Sequence, residues 1–195
     1  DAYLPCVIYR GQLTPLSSNP HAEVWVPLLN KAMCKYLWKH PGASSGIAHA
    51  KCHKKQFPLT TPHFELIQGG LPGWVWQSIL GVPTICLPSK PQFYDEIFNI
   101  CSDSRYIVNV CSGGRNDKNQ RDKIVQGHCY SILGTSVHSG ERIIKLRNPW
   151  GKTEPDNRFT RILSPQDDGV FYLTFKELTK YFPRVYYCQH NIQPP

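Results

Sequence analysis

Gln126-Gly127-His128-Cys129-Tyr130-Ser131-Ile132-Leu133-Gly134 and Lys145-Leu146-Arg147-Asn148-Pro149-Trp150-Gly151 open and close the stretch whose reading decides the fold. Between Cys129 and Thr135 the chain is rich in aromatic and branched residues, SVHSGE after it carries turn chemistry, and RIIKLR alternates apolar with basic side chains. The pattern predicts a β-hairpin. Taken as symmetric about His138, partners carry numbers summing to 276, so His128 stands directly opposite Asn148. Opposed side chains share one face of a strand pair, with Cβ atoms about 4.5–5.5 Å apart. Two readings follow. In one, the carboxamide oxygen accepts the imidazole N–H and fixes the tautomer, as in a Cys-His-Asn triad. In the other, Asn148 caps local backbone and His128 is merely exposed. Gly127, which permits close approach beside His128, and Trp150, whose indole can shield such a pair from water, weigh against the second reading and leave both open.

The 195 residues suffice for one domain with a real core, and 41% apolar with 12% aromatic content supports a globular fold. No apolar run reaches membrane length, and there is no signal peptide; a start at Asp1 without Met suggests a fragment or a processed piece. The net charge of +8 is spread thinly, with one small cluster at Lys51, Lys54 and Lys55. No basic stripe interleaves with stacking aromatics, so a solvated basic surface is favoured over nucleic-acid binding. Eight cysteines are scattered through apolar elements without a Cys-x-x-Cys, and no Asn-x-Ser/Thr sequon occurs. That distribution points to free thiols in a reducing, cytoplasmic setting rather than a secreted disulfide scaffold.

The opening segment to Pro20 reads as extended chain and loop. Trp25, Leu28, Leu29, Ala32, Met33, Tyr36 and Leu37 fall at helical spacing, with Pro27 in the first turn and Pro41-Gly42 ending the helix. Residues 41–65 read as a long loop or insertion; the spacing of His49, Cys52, His53 and His63 within it fits no recognised zinc pattern. A short helix capped by Gly81 follows Gly69-Gly70, and neither Gly pair is a phosphate loop, since no Gly-Lys-Ser/Thr follows. Then come a helix over Pro91–Cys101 with Ser89 as candidate cap, a strand RYIVNVC and an exposed loop SGGRNDKNQRDK. After Gly151 a polar stretch to Gln166 leads to strand GVFYLTF, short helix KELTKYF and strand RVYYCQH. Helices first and locally joined antiparallel strands after them indicate an α+β domain with a sheet or partial barrel.

The chain resembles the calpain family of cysteine proteases, specifically the second half of its catalytic core, a papain-like second subdomain of antiparallel sheets with flanking helices. Gly127-His128-Cys129-Tyr130-Ser131 resembles the family's G-H-A-Y-S motif, and Arg147-Asn148-Pro149-Trp150-Gly151 matches R-N-P-W-G. DAYLP is similar to D-D-x-L-P, AEVWVPLLNKAMCKY to E-F-W-x-x-L-L-E-K-A-Y-A-K, and DDGVFYLTFKELTKYF to E-D-G-E-F-W-M-S-F-x-D-F. The resemblance runs over 1–195 as a single subdomain, with only 41–65 lacking a counterpart.

The resemblance implies that His128 is the general base, Asn148 its orienting partner, and that Gly127 and Trp150 lie at the active-site cleft, with a protein or peptide as substrate. It implies a nucleophile in a G-x-C-W-F context on a preceding Cys-bearing subdomain, absent from this chain. Cys129 stands where the family has Ala; neighbours on a strand point to opposite faces, so its sulfur is expected to turn away from the imidazole. Calcium is a further implication, because Glu154 and Asp168 match two carboxylate ligands of the family. The family's E-W is here Glu154-Pro155, however, and the second Glu of its D-G-E is Val170, which removes charge and coordination. The expected function is thus half of a calpain-like endopeptidase core, inactive alone. The alternative is a non-enzymatic calpain-like binding or regulatory module without a working nucleophile. A lipid- or nucleic-acid-binding domain rests on charge alone and ranks below both.

Overall fold

The computed structural model describes residues 6–9, 12–15, 25–40, 67, 70–114 and 117–189. The chain divides into two compact units, Asp1–Trp74 and Val75–Pro195.

In the first unit, strand β1 (Cys6–Tyr9) pairs antiparallel with β2 (Gln12–Pro15), so the segment expected to be extended and then looped contains a short hairpin. Helix α1 (Trp25–Lys39) has the expected bounds, Pro27 lying in its first turn, where the missing N–H costs nothing. Its apolar stripe is only partly core: Leu37 is fully buried against Trp38, Ile67 and Trp74, whereas Leu28 and Tyr36 are exposed and Cys34, outside the stripe, is buried. The 41–65 segment, with His49, Cys52, His53 and His63, lies outside the described residues. Helix α2 (Pro72–Leu80) spans the boundary between the units and ends at Gly81, whose φ of 68° and N–H bond to the Gln77 carbonyl make it the expected C-terminal cap.

The second unit is built on an open six-stranded antiparallel sheet in the order β3-β10-β4-β7-β8-β9, which makes the domain α+β. Its strands are β3 (Ile85–Pro88), β4 (Tyr106–Cys111), β7 (Cys129–His138), β8 (Glu141–Arg147), β9 (Val170–Thr174) and β10 (Arg184–Gln189). Helix α3 (Tyr94–Ser102) lies against β4 and β7, and α5 (Phe175–Tyr181) against β8 and β9. Between them Ile97, Val110, Tyr130, Leu146, Phe171, Leu178 and Phe182 form one buried cluster. Burying each such side chain is worth about 1.5–3 kcal/mol, so this cluster fixes the strands that carry the site. A capping box starts α5: Glu177 N–H donates to Thr174 Oγ1, and Thr174 N–H to the Glu177 carboxylate.

Several elements differ from expectation. The helix expected from Pro91 begins with a 3-10 turn (Pro91–Phe93) preceded by Lys90; Ser89 is buried with a hydroxyl that caps nothing. Within the exposed loop, β5 (Gln120–Arg121) pairs with β6 (Ile124–Val125) across Asp122 and Lys123, both at positive φ. That turn normally carries Gly, so its sequence gave no signal. In the polar stretch after Gly151, Asn157 accepts the Thr160 N–H and starts α4 (Arg158–Leu163), which buries Phe159.

The β7–β8 hairpin turns at Ser139-Gly140, with φ of 51° and 77°, as a two-residue loop requires. Partner numbers therefore sum to 279 next to the turn (His138 with Glu141), and to 278 beyond a bulge between Ile132 and Gly134 (Ser131 with Arg147). The symmetric pairing about His138 is corrected accordingly. The turn sits later because Ser139 and Gly140 are the adjacent residues that take positive φ.

Candidate functional site

The bulge decides which side chains share a face. With a sum of 279 carried to the open end, His128 and Asn148 would point to opposite sides of the hairpin. With 278, the residue opposite Asn148 is Tyr130, and His128, two positions along, lies on the same side as a diagonal neighbour. The even shift from 276 to 278 thus preserves the contact drawn from the sequence while changing its geometry. The imidazole Nε2 lies 3.1 Å from Asn148 Oδ1.

The orientation of the buried Asn148 amide is fixed by its neighbours. Its Nδ2 donates to the Lys152 carbonyl at 2.7 Å, and its Oδ1 accepts the Trp150 N–H at 3.1 Å. An oxygen so held can only accept, so Nε2 carries the proton and Nδ1 keeps its lone pair. The Trp150 indole packs on the imidazole with ring centroids 4.7 Å apart, and Tyr130 meets it edge-on at 5.1 Å. Burial pulls the His128 pKa below its ordinary value, against the hydrogen bond to Asn148 and the more distant charge of Asp117, which favour the charged ring.

The backbone of His128 is gripped by a residue that motif reading missed. Ser112 N–H donates to the His128 carbonyl at 2.9 Å, the Ser112 hydroxyl accepts the His128 N–H at 3.0 Å, and the same hydroxyl donates to the Val125 carbonyl at 2.6 Å. Gly127 (φ 58°) makes the turn into this cradle, its N–H bonded to the Gly113 carbonyl. Tyr130 is a second missed support: fully buried, it accepts the Val125 N–H on its hydroxyl, and burial pushes its pKa up to about 12. Gly169 is the third. Its carbonyl accepts the Asn148 N–H, and a Cβ there would stand 2.7 Å from the Asn148 carbonyl oxygen and 2.9 Å from Gly151 Cα. Ser112 lies outside the matched motifs, and its hydroxyl meets His128 only once the sheet brings the strands together; Gly169 lies in Asp168-Gly169-Val170, but its role is a close backbone approach that the motif does not spell.

The Cys129 sulfur lies 2.6 Å from that of Cys111 on β4, on the side expected from strand alternation. Among the described residues, no cysteine is a hydrogen-bond partner of the imidazole.

A family model described as calpain family cysteine protease matches residues 1–189. The chain belongs to the calpain family. The calpain-2 catalytic subunit of Homo sapiens is 24% identical over 94% of this chain and 26% of the relative. The Gallus gallus calpain-2 catalytic subunit is 23% identical over 95% and 26%, and calpain-8 of Mus musculus is 26% identical over 95% and 26%. This calpain-family chain therefore spans about a quarter of the length of the curated relatives it matches. Among the described residues, no helix is long and apolar enough to cross a membrane.

Glu154 and Asp168, the calcium ligands implied by resemblance to the calpains, are both engaged with backbone N–H groups. Asp168 turns back on its own chain, Oδ1 accepting the Val170 N–H at 2.9 Å. Glu154 accepts the Gly169 N–H, and burial together with a hydrogen bond to Asp167 raises its pKa. Asp167, its partner, also accepts the Thr153 N–H at 3.1 Å. Among the described residues no group of three or more His, Cys, Asp or Glu is placed to hold a metal. Calcium takes roughly six to eight oxygen ligands, and carboxylates already bonded to backbone N–H groups would have to exchange those bonds for the ion.

Proposed function

We propose that this chain supplies the general base, His128, and its orienting partner, Asn148, to a calpain-type cysteine endopeptidase whose nucleophilic thiol comes from a Cys-bearing subdomain of the same protein. The observation that carries this reading is the Nε2–Oδ1 contact beneath Trp150, with the amide fixed so that Nδ1 is the nitrogen left for proton traffic.

In the assembled site Nδ1 takes the thiol proton, and the thiolate adds to the peptide carbonyl carbon. The imidazolium then gives that proton to the amine nitrogen as the C–N bond breaks, leaving a thioester. His128 next removes a proton from water, hydroxide adds to the thioester, and collapse releases the acid and restores the thiol. Asn148 holds the ring through both proton transfers. General acid–base catalysis of this kind is worth about 10²–10⁴-fold. No step is routed through calcium. Cys34, Cys86, Cys101, Cys111, Cys129 and Cys188 are free thiols, and a reducing, cytoplasmic setting is part of this reading.

The test is cleavage of casein or a peptide by the full-length protein, comparing wild type with His128→Ala. Loss of cleavage in the mutant is expected, and full retention rules His128 out as the base. The chain by itself should cleave nothing. A full-length protein that is inactive and has no Cys in the expected context would favour the binding-module reading.

A further inference from the structure

We propose that Cys111 and Cys129 form a peroxide-sensitive thiol pair that closes into a reversible disulfide between β4 and β7, one residue from His128. The inference does not depend on the protease reading. Cys111 and Cys129 are direct partners in the β4–β7 register, and their sulfurs are 2.6 Å apart. The Ser112 N–H bond to the His128 carbonyl marks the neighbouring pair as hydrogen-bonded, so Cys111 and Cys129 occupy a non-hydrogen-bonded position. There the Cα atoms are about 4.5 Å apart, inside the roughly 4.4–6.8 Å range that disulfides span, so closure needs no strand movement. Both thiols are half-buried, within reach of a small oxidant.

The two sulfurs are unequal. The hydrogen bond the two sulfurs share lowers the Cys129 pKa, while the same bond and burial raise that of Cys111. Cys129 is therefore the attacking thiolate and Cys111 the resolving thiol. By contrast, burial pushes Cys34 up to about 11 and Cys101 up to about 12, which keeps them protonated and unreactive.

The oxidant is hydrogen peroxide. The Cys129 thiolate attacks one peroxide oxygen, the O–O bond breaks, and a sulfenic acid and hydroxide result. The Cys111 sulfur then attacks the sulfenic sulfur, the S–O bond breaks, and the Cys111 proton leaves in the water expelled. Two equivalents of a monothiol such as glutathione reverse the change by thiol–disulfide exchange and leave as their own disulfide. Because Ser112 and His128 are the next residues along the two strands, the bond ties together the backbone that holds the imidazole, from the opposite face of the sheet.

The test is hydrogen peroxide treatment of the purified protein, alkylation of the remaining thiols, and non-reducing peptide mapping by mass spectrometry. A crosslinked peptide joining Cys111 to Cys129 is expected as the first disulfide, and dithiothreitol should remove it. In Cys111→Ser, dimedone should trap a sulfenic acid on Cys129; in Cys129→Ser, Cys111 should remain unlabelled. Preferential oxidation of the exposed Cys86, or failure of the crosslinked peptide to form while other thiols oxidise, would overturn the proposal. The wild-type map decides even if a variant fails to fold.

Discussion

Asn148 Oδ1 takes two hydrogen bonds at once, from His128 Nε2 and from the Trp150 backbone, while Nδ2 gives one to the Lys152 carbonyl. The amide therefore cannot rotate to suit the imidazole; the imidazole suits it. Asn148→Ala should remove the bond that favours the charged ring and move the His128 pKa further down. NMR titration of the ring measures this, and an unchanged or higher midpoint would contradict the assignment.

The depressed His128 pKa also makes stability depend on pH. The unfolded chain, with an ordinary value near 6.5, binds a proton before the folded one does. The stability linked to His128 is therefore complete above about pH 6.5 and is lost as pH falls from there through the lower folded value. Urea unfolding between pH 8 and pH 5.5 should show a decline that is smaller in His128→Gln; equal slopes in the two proteins would argue against it.

Gly169→Ala would press a methyl group against the Asn148 carbonyl and Gly151 at a φ of 87° that side chains rarely adopt. A destabilisation of about 1–3 kcal/mol is expected, the cost of a sparsely populated backbone conformation, with more if Asn148 shifts. Denaturant midpoints measure it, and a neutral result would mean that the loop yields freely.

Ser112→Ala strands the His128 N–H and the Val125 carbonyl, which the hydroxyl serves together. Leaving buried polar groups without partners costs about 1–3 kcal/mol. Faster hydrogen exchange at the His128 amide would locate the loss, and unchanged protection there would show that the cradle is not what holds it.

Calcium added to the purified chain should leave its unfolding temperature unchanged, because a ligand that binds only the folded state raises it by mass action. A concentration-dependent rise would show that Glu154 gives up its bond to Gly169 and that the loop rearranges around the ion.

The hairpin was legible because its strands alternate and SVHSGE carries turn chemistry; α5 was legible as the short helix KELTKYF, although the capping box of Thr174 and Glu177 that starts it went unread. The bulge was not, since Ile132-Leu133-Gly134 reads as ordinary strand and the slip exists only relative to a partner. The β5–β6 turn hid because Asp122-Lys123 carries no glycine, and α4 because a six-residue helix leaves too little period to detect. At the site, His128, Asn148 and Trp150 stood in readable motifs. Ser112, through its hydroxyl, and Gly169, through its missing side chain, contribute only where the fold brings distant backbone close, which residue type alone does not encode.

The bulge at Leu133 also governs how this hairpin can change length. Residues removed or added in pairs around the Ser139-Gly140 tip leave His128 and Asn148 meeting as before, since each pair moves both strands together. A single residue gained or lost within either strand turns one side chain away unless a second bulge or a longer loop restores the count. The strands joining these two residues are thus constrained by parity rather than by length, while an odd residue placed at the tip can be taken up by a longer loop.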